Sequence, residues 1–178
     1  MVEDFFQSVL NLKNIQRTGW KKNLGLKNGE SVADHSFSMA LMSMILSDLH
    51  HLDTNKILRM ALLHDLAESK IGDLAPDEIE KLEKIDKENK TMEKILNDLP
   101  SVLRKEYHKI WLEYQTRESQ ESVFVHEIDK LEMAFQAIEY LKKGHSKKNL
   151  QTFINSAKTE IKNEHLRNIL NKLLESMK

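Results

Sequence analysis

The apolar positions of this chain recur mostly at intervals of three and four residues, the spacing of one face of an α-helix. The segment ALLHDLAES, residues 61–69, is typical, with good helix formers and neither Gly nor Pro. No stretch shows the convincing alternation of a half-buried strand. We therefore predict an all-α fold, a single-domain bundle of about seven or eight helices. The predicted helices cover residues 2–16, 31–50, 53–69, 76–97, 101–117, 119–143, 148–161 and 163–177.

One stretch interrupts this pattern. RTGWKKNLGLKNGES, residues 17–31, holds three of the five glycines and is predicted to be a loop of some 15 residues. A connection of that length suggests a function of its own. Ser31 and Asp34 form an S-x-x-D pattern that can cap the following helix. Farther along, Pro76 suits the first turn of a helix.

Composition supports the helical prediction and excludes several functional classes. The chain has 178 residues, five Gly, two Pro and 31% charged residues, a mixture that favours one helical domain. A net charge of -1 gives no general attraction to a nucleic acid polymer or a membrane. No cysteine is present, which excludes disulfides, thiolate metal sites and cysteine nucleophiles and fits a reducing compartment. The longest apolar run, residues 37–49, is too short to span a membrane, and we expect a cytoplasmic protein.

An imidazole and a carboxylate, His64 and Asp65, stand side by side in a segment that is apolar nearly all round. A buried unpaired carboxylate costs several kcal/mol. For this pair alone a structural explanation suffices, with the histidine bonded to a carbonyl and the aspartate paired with a basic residue. Two other helices repeat the anomaly, however. His35 opens an apolar row of its helix, and Asp129 lies within another such row. Together these side chains supply the N and O ligands of one divalent first-row metal ion.

Four ordered blocks of sequence resemble the HD-domain phosphohydrolases, and most closely their small 5'-deoxynucleotidase branch. The blocks are RTGW at 17–20, ESVADHS at 30–36, LLHDLAESKIGDLAP at 62–76 and DKLE at 129–132. The resemblance covers roughly residues 14–140. It implies one HD domain over 1–178, with a motif-bearing core at 14–140 and C-terminal helices at 148–177.

The resemblance also implies roles for individual residues. His35, His64, Asp65 and Asp129 fall on the four metal ligands of the family. Glu68 and Asp73 fall on catalytic carboxylates around the attacked phosphate, Arg17 on a phosphate-binding arginine and Trp20 on a loop aromatic that handles the nucleoside. Taken singly, Glu68 could instead be a surface helix residue, Asp73 a turn former and Trp20 a loop anchor packed on the core.

The implied function is that of a metal-dependent phosphomonoesterase acting on (deoxy)nucleoside 5'-monophosphates. The cofactor is one divalent cation, Mn, Co, Mg, Fe, Ni or Zn. A preference for the deoxy sugar and a homodimer rest on the resemblance alone. Two alternatives remain: another nucleotide substrate (a cyclic nucleotide, a deoxynucleoside triphosphate or a guanosine alarmone), or a non-catalytic nucleotide- and metal-binding module. The joint presence of Arg17, Glu68 and Asp73 favours an enzyme, since a binder needs no acid–base carboxylates.

Overall fold

The structure, a computed structural model, describes residues 2–75 and 77–175 and is helical almost throughout. Within these residues the chain forms ten α-helices and one short 3-10 helix at Leu12–Asn14. The only extended pairing among them is an isolated bridge between Gln16 and Ser31. The all-α prediction is confirmed. The helices are α1 Val2–Asn11, α2 Thr18–Leu24, α3 Val32–Leu49, α4 Thr54–Leu63, α5 Glu68–Ile71, α6 Lys81–Leu96, α7 Ser101–Thr116, α8 Gln120–Lys142, α9 Lys147–Glu160 and α10 Glu164–Glu175.

The stretch at 17–31 is not a loop throughout, because its first half forms α2. This helix ends at Leu24 and is capped by Gly25, whose φ of 64° is left-handed. Trp20 and Leu24, four residues apart, pack with residues of α9 and the end of α8. This tertiary packing stabilises a helix that the glycines made unexpected.

The helix expected over 53–69 is also interrupted. α4 ends at Leu63 and α5 begins at Glu68, and the residues between them are joined by i→i+3 hydrogen bonds such as Leu66 N–H to Leu63 O, 3.0 Å. The His64 ring donates from Nδ1 to Ala61 O at 2.7 Å. A continuous α-helix would use that carbonyl for the amide of residue 65.

Two further helix boundaries bear on the predictions. α6 begins at Lys81, because a turn in which Ala75 N–H donates to the Glu78 carboxylate at 2.9 Å precedes it. The predicted helix start at Pro76 and the predicted helix end at Met177 lie outside the described residues. At the start of α3 the expected cap is present: Ser31 Oγ accepts from Asp34 N–H at 3.1 Å, and the Asp34 carboxylate accepts from Ser31 N–H at 3.0 Å.

α8 lies at the centre of the molecule, in contact with α3, α4, α7, α9 and α10. The main core packs fully buried side chains of α3, α4, α6, α7 and α8, among them Met39, Met60, Met92, Trp111 and Ile128. A second, smaller cluster joins α2, the end of α8 and α9. Both α9 and α10 pack against α8. The long helix α8 therefore contributes side chains to both cores. Within the described part of the chain, no helix is long and apolar enough to cross a membrane.

Candidate metal centre

Two histidines from different helices meet inside the bundle. His35 lies in the first turn of α3 and His64 directly follows α4, and both are buried. Their Nε2 atoms are 3.3 Å apart. The ring nitrogens on the far sides are engaged: His35 Nδ1 lies 2.6 Å from Glu132 Oε2, and His64 Nδ1 donates to Ala61 O. The two rings therefore direct Nε2, the nitrogen that can bind a cation, toward the same point.

Each of the two Nε2 atoms has a carboxylate beside it. Asp65 Oδ2 lies 3.0 Å from His64 Nε2 and 3.9 Å from His35 Nε2. Asp129, on α8, places Oδ1 3.2 Å from His35 Nε2. The ligand atoms of His35, His64 and Asp129 all lie within 4.8 Å of one another. Three of the four predicted ligands thus form one compact group, and Asp65 stands beside it, next to His64.

The donor set and its spacing fit a divalent cation. Two ligands about 2.1 Å from one ion lie about 3.0–3.4 Å apart when the angle between them is octahedral to tetrahedral. Three of the separations at this site are 3.0, 3.2 and 3.3 Å. Two imidazole nitrogens and two carboxylates are ligands that first-row divalent metals accept. The buried cluster is able to bind a metal ion.

The charged groups of the cluster shift one another's pKa values. Burial raises the pKa of Asp129, but Lys130 and His35 outweigh it and hold that pKa well below its usual range. Burial and Arg17 lower the pKa of His35, yet its hydrogen bonds with Asp129 and Glu132 outweigh them and raise it to about 9. In both cases a carboxylate and its cationic partner stabilise each other's charged form.

Arg17 stands at the edge of the cluster. Its backbone N–H donates to Glu30 O at 3.0 Å, next to the Gln16–Ser31 bridge, so the start of α3 fixes its place. The guanidinium Nη1 donates to Asp65 Oδ2 at 2.8 Å. One N–H is thereby used, and the remaining donors of the planar group are available to an anion.

The two predicted catalytic carboxylates lie on α5 and the turn after it. Glu68 is 3% exposed, and no group in the described residues hydrogen-bonds its Oε2. Burial and the charges of Asp65 and Asp73 raise the pKa of Glu68 well above its usual value. Asp73, after Gly72 with φ 77°, accepts from Thr18 N–H at 2.6 Å. A buried acid with a raised pKa and a hydrogen-bonded carboxylate thus lie near Asp65 and Arg17.

Trp20 does not reach the cluster. Its side chain is 1% exposed and packs on Phe153 and Tyr140, with ring centroids 3.9 and 5.2 Å away. Its indole N–H donates to Glu30 Oε2 at 2.6 Å. This is the geometry of a loop anchor, and contact with a nucleoside stays a prediction.

Sequence reasoning assigned no role to two buried acids at the site. Glu132 hydrogen-bonds His35, and Glu30 lies beside both. Burial and the charge of Glu132 raise the pKa of Glu30 to about 7. Glu30 belongs to the block ESVADHS, and Glu132 belongs to the block DKLE. Glu132 lies three residues after Asp129, so helical spacing could have placed both on one face.

Comparison with known proteins gives a consistent result. The profile of the family described as HD domain matches residues 9–169. Human 5'-deoxynucleotidase HDDC2 is 42% identical over 153 residues, which cover 85% of this chain and 74% of the human protein. The Saccharomyces cerevisiae 5'-deoxynucleotidase YGK1 is 36% identical over 176 residues, 96% of this chain and 80% of the yeast protein. The crystal structure of the PH0347 protein of Pyrococcus horikoshii OT3 superimposes with a TM-score of 0.81 at 32% identity, covering 97% of this chain and 98% of the other.

Proposed function

The chain belongs to the HD domain family, and on that premise we propose that it is a metal-dependent 5'-deoxynucleotidase. It hydrolyses deoxynucleoside 5'-monophosphates to the nucleoside and phosphate. The observation that carries this proposal is the meeting of two Nε2 atoms with Asp129 at ligand spacing, with Asp65 beside His64. We assign His35, His64, Asp65 and Asp129 as the ligands of one divalent cation, which could be Mn, Co, Mg, Fe, Ni or Zn.

Hydrolysis of a phosphate monoester needs an activated water, neutralised phosphoryl oxygens and a proton for the leaving oxygen. The cation, when bound, supplies Lewis-acid activation of water near neutral pH and offsets phosphoryl charge. Arg17 binds the phosphate. Its guanidinium is anchored on Asp65 by one N–H, and its other N–H groups can bind two phosphoryl oxygens as a fork.

We assign Glu68 as the general acid. As the P–O5' bond breaks, the departing oxygen takes the Glu68 proton, because an alkoxide leaves poorly without one. Its burial, its raised pKa and the free Oε2 support this role. Asp73 is the second carboxylate and orients the water or accepts its proton. The bond from Thr18 N–H holds this side chain in place.

The substrate class rests on the relatives named 5'-deoxynucleotidase. Trp20, buried and bonded to Glu30, fixes helix α2 next to Arg17, and its predicted contact with the nucleoside would require this helix to move. A location in the cytoplasm fits the absence of cysteine.

A phosphate-release screen tests the function. The metal-stripped protein is incubated with deoxy- and ribonucleoside 5'-monophosphates, 3'-monophosphates and a triphosphate, each with Mn, Co, Mg or Zn. We expect metal-dependent release from the deoxynucleoside 5'-monophosphates and none from the 3'-isomers. Equal rates with the ribo forms would remove the sugar preference. Release from none of the monophosphates with any metal would overturn the function.

We also propose a homodimer, formed through the outer face of α3. Four apolar side chains spaced four residues apart, Phe37, Leu41, Ile45 and Leu49, are 50–70% exposed there. Such a row is unusual on a monomer surface. It can pair with its own copy about a two-fold axis, because an isologous contact needs one self-complementary patch.

Sedimentation velocity checks the dimer. We expect the wild-type protein to sediment as a dimer and Ile45→Glu as a monomer, because the substitution places a charge in the middle of the apolar row. Leu82→Glu is the matched control, since Leu82 on α6 is 82% exposed and stands apart from the row. A monomeric wild type would contradict the dimer, and a dimeric Ile45→Glu variant would contradict this surface.

A further inference from the structure

α8 contacts the His35 imidazole at both of its nitrogen atoms. Asp129 Oδ1 lies 3.2 Å from Nε2. Glu132 stands three residues later on the same face of the helix, with Oε2 2.6 Å from Nδ1. All three side chains are buried. One helix thus supplies a ligand beside one nitrogen and a hydrogen-bond acceptor at the other.

The carboxylate at Nδ1 decides which nitrogen of His35 can bind a cation. The Glu132 oxygen needs an N–H at 2.6 Å, so Nδ1 keeps its proton and Nε2 is the atom that can become a ligand. If Glu132 were absent, the neutral ring could keep its proton on Nε2 and donate it to Asp129. A protonated Nε2 cannot bind a metal ion.

A second buried carboxylate, Glu30, connects this pair to Arg17 and to helix α2. One side-chain oxygen of Glu30, one of Glu132 and a ring nitrogen of His35 lie within 4.8 Å of one another. From the loop side, Glu30 accepts two hydrogen bonds: its Oε2 from the Trp20 indole at 2.6 Å, and its carbonyl from Arg17 N–H at 3.0 Å. Glu30 therefore contacts both ends of the RTGW segment and the acid behind His35.

We propose that Glu132 and Glu30 are positioning residues of the metal centre. Glu132 keeps His35 Nε2 available to the cation, and Glu30, held by Trp20, fixes Arg17 at the start of α2 relative to the same imidazole. This role rests on the proposed function, because it takes His35 as a metal ligand. Both acids lie behind the ring and away from the point where the ligand atoms meet.

Calorimetric titration of the metal-stripped protein with Mn²⁺ tests the role of Glu132. We expect Glu132→Leu to weaken the Kd by about 10- to 100-fold, the usual loss when the outer partner of a ligand histidine is removed. Glu132→Gln should recover most of the affinity, because its amide oxygen still accepts the Nδ1 proton. Glu127→Leu is the matched control: Glu127 is also buried on α8, but it accepts from Asn163 N–H at 2.8 Å, and its loss should leave the Kd unchanged.

Nitrogen NMR of the Zn²⁺-loaded protein gives a second measurement, independent of activity. In the wild type, His35 should show a protonated Nδ1 and a metal-bound Nε2. In Glu132→Gln the Nδ1 resonance should shift, since a neutral amide is a weaker acceptor. An unchanged Nδ1 resonance in Glu132→Gln, or a wild-type Mn²⁺ Kd in a folded Glu132→Leu, would overturn the role of Glu132. If Glu132→Leu does not fold, the NMR result for Glu132→Gln decides.

Trp20→Phe tests the role of Glu30. The variant keeps an aromatic ring in the second cluster but loses the N–H that Glu30 accepts, together with part of the buried ring volume. We expect a weaker Mn²⁺ Kd, with a smaller change than for Glu132→Leu, together with a higher KM for the deoxynucleotide. An unchanged Kd and KM would overturn the link. Turnover is measured on the same wild-type preparation, so a protein that binds Mn²⁺ but releases no phosphate would contradict the proposed function and leave the positioning roles standing.

Discussion

Replacing His64 with alanine is expected to abolish metal binding and phosphate release together. His64 Nε2 lies 3.0 Å from Asp65 and 3.3 Å from His35 Nε2. Its loss removes one of the proposed ligands, and without the cation the negative charges of the carboxylates lose their main counter-charge. A bound cation contributes several kcal/mol of transition-state stabilisation. At 1.36 kcal/mol per factor of ten, the rate should fall by about 10³-fold or more.

Two measurements check the loss of the metal ion. Elemental analysis should find about one divalent ion per wild-type chain and none in His64→Ala. Cation at 100 times its Kd should stabilise the wild type by about 2.7 kcal/mol, which raises the Tm of a protein of this size by about 5–10 °C. The variant should show no such rise. His50→Ala is the matched control, since that imidazole pairs with His165 at 2.9 Å, outside the cluster.

A His64→Ala variant that retained both its metal and its turnover would remove His64 from the site. If His64→Ala kept the cation but lost turnover, His64 would act on the substrate, and another residue would have to take its place as a metal ligand. Comparison with Asp129→Asn distinguishes these cases, because both variants should lose the cation if both residues are ligands.

Replacing Glu68 with glutamine is expected to lower kcat on deoxynucleotides by about 10²- to 10⁴-fold, the usual contribution of a general acid. The amide has nearly the shape of the acid but no proton to give. Glu68 is buried, so water cannot readily replace it as the donor. KM should change little, because Arg17 and the cation bind the phosphate.

The choice of leaving group shows whether Glu68 gives a proton. p-Nitrophenolate leaves without protonation, so Glu68→Gln should slow hydrolysis of p-nitrophenyl phosphate far less than hydrolysis of a deoxynucleotide. Asp73→Asn is the matched control. If Asp73 acts on the water, its loss should slow both substrates equally. If instead Glu68→Gln slows both substrates equally and Asp73→Asn slows mainly the deoxynucleotide, Asp73 is the acid and Glu68 acts on the water. Full turnover in Glu68→Gln would exclude Glu68 from the mechanism.

Much of the helical architecture follows from local sequence. Intervals of three and four between apolar residues mark the helix faces, and the Ser31–Asp34 pair begins α3 at the expected place. The errors lie where tertiary contacts outweigh local preference. α2 forms in a glycine-containing segment because Trp20 and Leu24 pack on other helices, and the helix through His64 is interrupted.

Local periodicity places His35, His64 and Asp129 on apolar faces of separate segments, and the four motifs indicate the family and a divalent cation. Periodicity fixes the face of a side chain, because the helical repeat is local. It does not fix which nitrogen of a ring points where, or which acid stands behind it. Only the tertiary structure brought Glu132 to His35 Nδ1 and Arg17 to Asp65, and placed Trp20 in the second cluster. Glu132 and His35 are 97 positions apart in the sequence, and Arg17 and Asp65 are 48 apart. Contacts at such separations depend on how whole helices pack against one another.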